Sequence, residues 1–306
     1  MKLIGENIHI ISKKVREALL NRNKAFIIDL IKKQNSVEYV DLNVGPATSG
    51  LDDILAWLAN LVQDNSELKI SFDTANTAEM RKGLEACKNP ETALINSASD
   101  DYERLEKMTD LAAEFNSDLI ALTLSSKSGI PSSADGRVEL ALDIYETCIS
   151  KGIDNKRIYF DPLILPVSVD QSQAVEAFNT IKIIKESFEP ACNTVIGLSN
   201  ISNGSPRELR PLINKVCLAL AYGAGLDAVI LDATDNDLLN AVKVLENNSY
   251  STSSEKLLID LCALTSDFID INDIKYDKSD KSSCDMYKAA QILLNKQVYS
   301  HSFTQV

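Results

Sequence analysis

The sequence predicts an α/β fold, a closed (β/α)8 TIM barrel. Three observations carry that expectation. Eight short apolar runs alternate with longer stretches of helical period, one helix follows each run, and the runs end on polar residues. Strands alternating with helices imply right-handed βαβ units and a parallel sheet. Eight units in about 240 residues suit closure into a barrel. A doubly wound dinucleotide-binding sheet would carry Gly-x-Gly-x-x-Gly after its first strand, where this chain reads GENIHI.

The first strand, KLIGENI, is followed by Glu6 and Asn7 at its end and by one long helix, SKKVREALLNRNKAFIIDLIKKQ. The second, YVDLNVG, holds Asp41 and Asn43 and leads into GLDDILAWLANLVQD. KISFDT ends near Asp73 and Asn76 before the helix TAEMRKGLEACK, and ALINSAS carries Asn96 before DYERLEKMTDLAAEF. LIALTL reaches Thr123 and precedes VELALDIYETCISKG, while RIYFDPL ends on Asp161 and precedes QAVEAFNTIKIIKES. TVIGLSN ends on Ser199 and Asn200 before PLINKVCLALAYGAG, and AVILDA ends at Asp232 before DNDLLNAVKVLEN. Ser12, Ser49 or Asp100 can cap helix starts, and the KG and AG pairs close the fifth and seventh helices.

Composition narrows the function. The 306 residues are 45% hydrophobic and 25% charged, ordinary values for a globular protein. A net charge of −13 argues against nucleic acid or an anionic membrane surface as a partner. No stretch approaches the roughly 20 apolar residues of a membrane span. The opening MKLIGENIHIIS reads as a strand rather than a signal peptide. The six cysteines are scattered without a C-x-x-C pair, so reduced thiols and a cytoplasmic location are expected. His9 and His301 are the only histidines, which leaves no zinc-ligand set, and a structural role is expected for His9. No protein-bound metal is expected.

In a parallel barrel the strand ends converge on the C-terminal face, where active sites of this fold sit. Here they form a ring of carboxylates and carboxamides almost without Lys, Arg or His. Ionised Asp offers only acceptors, while Asn offers donor and acceptor edges. A buried Asp therefore suits an adjacent N–H and amino group, the edge that pterins and purines present. Phosphate would instead call for Gly-rich loops or basic residues.

Seven motifs carry a resemblance. DLNVGP (41–46), INSAS (95–99), DPLILP (161–166), GLSNIS (197–202), RPLIN (210–214), GLDAVILDA (225–233) and ILLNKQVYSHSF (292–303) stand in order along the chain. Together they resemble the pterin-binding methyltransferases that move the methyl group of methyltetrahydrofolate to a corrinoid protein. That family includes the enzyme acting on the corrinoid/iron–sulfur protein and components of O-demethylase systems. The resemblance implies a dihydropteroate-synthase-like barrel, a homodimer, 5-methyltetrahydrofolate or tetrahydrofolate as substrate, and a cobalamin-type corrinoid carried by a partner protein. It also implies roles. Asp73, Asn96 and Asp161 would hydrogen-bond the pterin ring, and Gly197 and Ser199 would line it. Asp41 and Asn43 would lie near it, Arg210 near the loop below it, and Asn200 would contact the methylated ring nitrogen. A methyl on a tertiary amine leaves only when that nitrogen is protonated or receives a strengthening hydrogen bond. Asn200 cannot titrate, so its implied part is electrostatic.

Two places depart from the family pattern. The loop SNGSPRELRP is about two residues longer, and Asn203 is the residue assigned to the family's side chain there. The segment from about 247 to 283 interrupts the end of a single pterin-binding domain spanning 1–306, and EKLLIDLCALTSDFIDI within it has helical character. A surface insertion is expected, with a partner-docking or dimer element as the alternative. Two rival functions stand beside the methyltransferase. One is a dihydropteroate synthase-like enzyme, which would want a lysine where the chain reads GLSNISNG. The other is a non-catalytic folate-binding barrel. Methionine synthase would add a zinc domain for which the cysteines offer no pair.

Overall fold

A computed structural model describes residues 1–47 and 50–305. Eight parallel strands close a barrel in sequence order: β1 (Lys2–His9), β2 (Tyr39–Asn43), β3 (Lys69–Asp73), β4 (Leu94–Ala98), β5 (Asp118–Leu122), β6 (Ile158–Asp161), β7 (Asn193–Gly197) and β8 (Ala228–Leu231). The helices are α1 (Lys13–Leu20), α2 (Lys24–Lys33), α3 (Ile54–Asn65), α4 (Thr77–Ala86), α5 (Tyr102–Glu114), α6 (Ala134–Ser150), α7 (Ser172–Ser187), α8 (Arg210–Gly223), α9 (Asn236–Asn247), α10 (Ser253–Ser266) and α11 (Lys281–Leu293).

The single long first helix is corrected: it is two. Arg22 adopts φ 50°, and the Asn23 side chain accepts from Phe26 N–H at 3.2 Å, capping α2. Asparagine competes for its own neighbouring backbone, so the Asn-Arg-Asn triplet ends one helix and starts another. The cap expected at Asp100 belongs to Asp101, which accepts from Arg104 N–H at 2.9 Å. Asp100 instead donates its backbone N–H to Leu124 O, continuing the strand ladder. Ser12 precedes α1 without making a side-chain cap, and Ser49 lies outside the described residues. Gly152 and Gly225 do end α6 and α8, at φ 77° and 107°, angles that disfavour any side chain.

Alternation along each strand builds the interior. The rows through Ile4, Tyr39, Leu94, Ile120, Tyr159, Val195 and Ala228 meet in one apolar layer that fills the barrel. Beneath it Lys2 pairs with Asp118 at 3.3 Å and lies 4.8 Å from the Tyr159 ring centroid. The same rows continue upward two residues later to Glu6, Asp41, Asn96 and Asp161. The barrel is thus plugged below and polar at its mouth. The outward rows pack on the helices in two larger clusters.

The 247–283 segment is more than a loop. Thr252 caps α10 by accepting from Glu255 N–H, and the Glu255 carboxylate accepts from Ser251 N–H at 2.7 Å. Leu257, Leu258, Leu261 and Leu264 are buried against α8 and α9. A Cβ on Gly223 would stand 2.0 Å from the Cys262 carbonyl oxygen, so a glycine is required for α8 and α10 to touch. Thr265 Oγ1 donates to Leu220 O at 2.9 Å across the same contact. α10 thus forms an outer layer joined to the helical core.

Candidate active site at the barrel mouth

The register of neighbouring strands brings the first cluster together. Asn43 lies beside Asp73, and Asp73 beside Asn96, in adjacent parallel strands. Asp41, on the inward row of β2, accepts from Ser71 Oγ at 2.6 Å and from Asn96 Nδ2 at 3.2 Å. Asn43 Nδ2 donates to the Asp73 carboxylate, and Asn43 Oδ1 accepts from Gly45 N–H at 3.3 Å. The Asp41 and Asp73 carboxyls lie close enough to perturb each other's proton affinity. Burial, then the Asp73 charge, holds Asp41 well above the usual carboxylate range. Burial lifts Asp73 to about 6, opposed by hydrogen bonds from Asn43 and Asp41 and by the Arg104 charge. Two adjacent carboxyls in a dry site cannot both ionise easily.

Asp161 stands on β6, facing the same mouth. Its backbone carbonyl accepts both Thr123 N–H and Thr123 Oγ1, at 3.0 and 3.1 Å, which ties the end of β6 to β5. One carboxylate oxygen accepts from Leu163 N–H at 2.8 Å. That turn puts Leu163 at φ 62°, an unusual angle for leucine, directly after the fixed ring of Pro162. Burial raises Asp161 to about 7, against the Leu163 N–H and the Arg137 charge. Among the described residues no further group hydrogen-bonds this carboxylate.

The turn after β7 closes the ring. Ser199 Oγ donates to Glu6 Oε1, joining it to β1. Burial pushes the Glu6 carboxyl above its ordinary value, only partly offset by that hydrogen bond. Asn200 is exposed, and Asn203 Nδ2 donates to its Oδ1 at 3.4 Å. A Cβ on Gly197 would lie 3.1 Å from Asn200 Nδ2, so Gly197 leaves the space that amide occupies. Arg210 is engaged below, its Nε donating to Ser205 O at 3.0 Å. The C-terminal tail holds this loop too, because Tyr299 donates its hydroxyl to Ser205 Oγ at 2.7 Å.

Asp41 with Asn96 and Asn43 with Asp73 therefore form two hydrogen-bonded pairs on neighbouring strands, and Asp161 faces the mouth from a separate strand. Gly197, Ser199, Asn200 and Asn203 share the turn after β7, whereas Arg210 serves the loop beneath it. Other polar strand ends have local duties. Asn76 caps α4, and Asn7 Nδ2 donates to Asp232 Oδ1 at 2.6 Å. His9 Nδ1 accepts from Ile11 N–H at 3.1 Å within its own turn. Strand-end reasoning passes over Ser71, the half-buried Arg104 and the buried Arg137, and it gives Glu6 no role. Period-2 alternation from Ile4 singles out Glu6, as alternation from Tyr39 singles out Asp41. Nothing in the local pattern marks the two arginines, which stand on helices: Arg104 donates to Ser97 O, and Arg137 to Pro131 O and Gln173 Oε1.

Among the described residues no trio of His, Cys, Asp or Glu is placed to hold a metal, and no helix is long and apolar enough to cross a membrane. The chemical capacity is that of a set of buried and half-buried acceptors, with Asp73 lifted to about 6 and Asp161 to about 7 by burial.

Comparison with known proteins agrees with this geometry. Residues 25–232 match the family described as pterin binding enzyme. Over 246 residues the chain is 27% identical to a methylcorrinoid:tetrahydrofolate methyltransferase of Eubacterium limosum, covering 79% of this chain and 89% of that protein. Over 264 residues it is 29% identical to the methionine synthase of Mycobacterium tuberculosis, covering 82% of this chain and 21% of that enzyme. The chain thus spans about a fifth of that longer relative. Among solved structures it resembles the dihydropteroate synthase of Yersinia pestis, with TM-score 0.57, 13% identity, and 81% and 93% of the two chains covered. The dihydropteroate synthase of Coxiella burnetii is similar, with TM-score 0.57, 16% identity, and 79% and 92% covered. These last two likenesses are of fold alone.

Proposed function

The chain belongs to the pterin binding enzymes, and from that premise we propose that it moves the methyl group of 5-methyltetrahydrofolate to or from the cobalt of a corrinoid held by a partner protein. The observation that carries the reading is the mouth itself: buried Asp161 facing the Asp41–Asn96 and Asn43–Asp73 pairs, with a hydrogen-bonding turn between β7 and α8. The named similarity to a methylcorrinoid:tetrahydrofolate methyltransferase supports the same direction of thought.

In this reading Asp161 accepts the N–H and amino donors of the pterin, and Asp73 and Asn96 bind the opposite side of the ring. Asp41 and Asn43 hold those two in place, and Gly197 and Ser199 leave a flat edge for the ring. Asn200 stabilises the protonated N5 as the N5–methyl bond breaks. The electron pair of that bond stays on nitrogen, so tetrahydrofolate leaves as a neutral amine. The corrinoid supplies a Co(I) nucleophile, which is why the chain itself needs no nucleophilic side chain. Asn203 and Arg210 shape the loop that carries Asn200. The working unit would be a homodimer of a single barrel domain, cytoplasmic, with residues 247–283 as an addition.

The test is to add 5-methyltetrahydrofolate and a chemically reduced corrinoid to the purified protein and follow the methyl-cobalt absorbance. Its appearance supports the transferase. Tight pterin binding without methyl transfer would point to the non-catalytic folate-binding barrel.

A further inference from the structure

We propose that the C-terminal tail is a strap joining the loops after β6 and β7, and that its Tyr299 is a positioning residue holding the Asn200 turn in register with the Asp161 loop. The inference rests on the methyltransferase reading above and extends it to the motif ILLNKQVYSHSF (292–303), which that reading left without a duty.

The two loops that carry the groups assigned to the pterin are laced together. One runs from Asp161 to the start of α7, and the other begins with the turn that holds Ser199 and Asn200. Val167 N–H donates to Ile201 O at 2.9 Å, and Ser168 Oγ donates to Asn203 O at 2.8 Å. Gly204, at φ 81°, permits this approach, because a Cβ there would stand 2.6 Å from Ser168 Oγ.

The tail binds both loops. Gln171, the last residue before α7, turns its whole side-chain amide towards it. Its Oε1 accepts Tyr299 N–H at 2.7 Å, and its Nε2 donates to Asn295 Oδ1 at 2.9 Å and to Gln297 O at 2.8 Å. On the other side the Tyr299 hydroxyl donates to Ser205 Oγ at 2.7 Å. Ser205 is buried, its N–H donates to Ser202 O and its carbonyl accepts Arg210 Nε, each at 3.0 Å. Ser202 lies in the same helical turn as Asn200, Leu198–Ser202, and its Oγ donates to Ser199 O at 3.3 Å. Tyr299, Ser205 and Ser202 thus form a continuous hydrogen-bonded path to the turn that carries Asn200.

Attachment of the tail does not need that hydroxyl. Phe303 is 1% exposed, and the Tyr299 and Phe303 rings line one apolar seam with Val167, Ile213 and Leu293. The ring anchors the tail, and the hydroxyl is left to set the turn. A group that meets developing charge must be held in place, and a remote change that misplaces it by about 1 Å can cost ~100-fold in rate. Asp161 and the β3 and β4 ends keep the pterin bound meanwhile, so rate is lost before affinity.

The experiment compares wild type, Tyr299→Phe, Ser205→Ala and the double variant of the full chain. Tyr299→Phe keeps the ring and removes one oxygen, and Ser205→Ala cuts the same bond from the other end, which covers a failure of either variant to fold. Three quantities are read: 5-methyltetrahydrofolate affinity by calorimetry, single-turnover methyl transfer to chemically reduced cobalamin, and hydrogen exchange of the 198–205 amides. Each single variant should keep its affinity and transfer methyl ~10-fold or more slowly. The 198–205 amides should exchange faster while the barrel strands stay protected. The double variant should be no slower than the single ones, because all remove one interaction. Wild-type transfer rates, unchanged exchange in 198–205, additive losses, or a rate loss matched by an equal loss of affinity overturns the role of Tyr299 and leaves the methyltransferase reading standing. A wild type that binds pterin but transfers no methyl overturns that reading and the positioning role with it.

Discussion

At the scale of single residues, the mouth is built from acids held away from their ordinary charge state. Asp73 is lifted to about 6 and Asp161 to about 7, both chiefly by burial. A pterin edge made of donors needs the ionised forms, so affinity for 5-methyltetrahydrofolate should climb as pH rises through about 6 and about 7 and level off only above the higher value. Titration calorimetry across that range checks it, and a flat profile would remove both acids from the contact. Asp161→Asn should weaken binding by ~2 kcal/mol or more, about 30-fold, because the amide turns donors towards donors. The same variant still offers Leu163 N–H an acceptor and removes an uncomfortable charge, so at pH 8 it should unfold at a higher temperature than wild type. Asn200 is exposed, and its side chain bears little on folding. Asn200→Ala should slow methyl transfer by ~100-fold while stability changes by less than ~0.5 kcal/mol. Unaltered single-turnover rates would take Asn200 out of the chemistry.

At the scale of elements, α8 joins the site to the rest of the molecule. Its first residue, Arg210, holds the loop that carries Asn203, and its last, Gly223, lies against α10. A side chain at Gly223 has nowhere to go, because the obstructing atom is a backbone carbonyl rather than a mobile side-chain end. Gly223→Leu should lower stability by ~3 kcal/mol or more through overpacking and separation of α8 from α10. Urea denaturation measures this, and a near-neutral result would mean that the α10 layer is dispensable. Amphipathic period alone locates the helices correctly, yet it merges α1 and α2. Both halves keep a helical rhythm, and only the local competition of Asn23 for backbone N–H groups breaks them. Nor can period tell that α10 is clamped to α8, since Gly223 and Cys262 lie far apart in sequence.

At the scale of the whole molecule, the mouth imposes a pH dependence on folding. Glu6, Asp41, Asp73 and Asp161 all bind protons more tightly folded than unfolded. Their contribution is fully present below the unfolded value near 4 and is lost as pH rises through the folded values, about 6 for Asp73 and about 7 for Asp161. The ligand-free protein should therefore resist urea better at pH 5 than at pH 8, and added pterin should narrow the gap by favouring the ionised site. A protein more stable at pH 8 would contradict the buried-acid account. The barrel is legible in the sequence, because strand alternation and helix period are local properties. The sequence also places Asp41, Asp73, Asn96 and Asp161 at strand ends that parallel closure must gather on one face. Which of those groups touch, Asp41 with Asn96 and Asn43 with Asp73, and that Glu6 meets Ser199 across the closure of the barrel, follows from the folded arrangement alone. Such pairings depend on register between distant strands and on the depth of burial, and neither is written in any short stretch of chain.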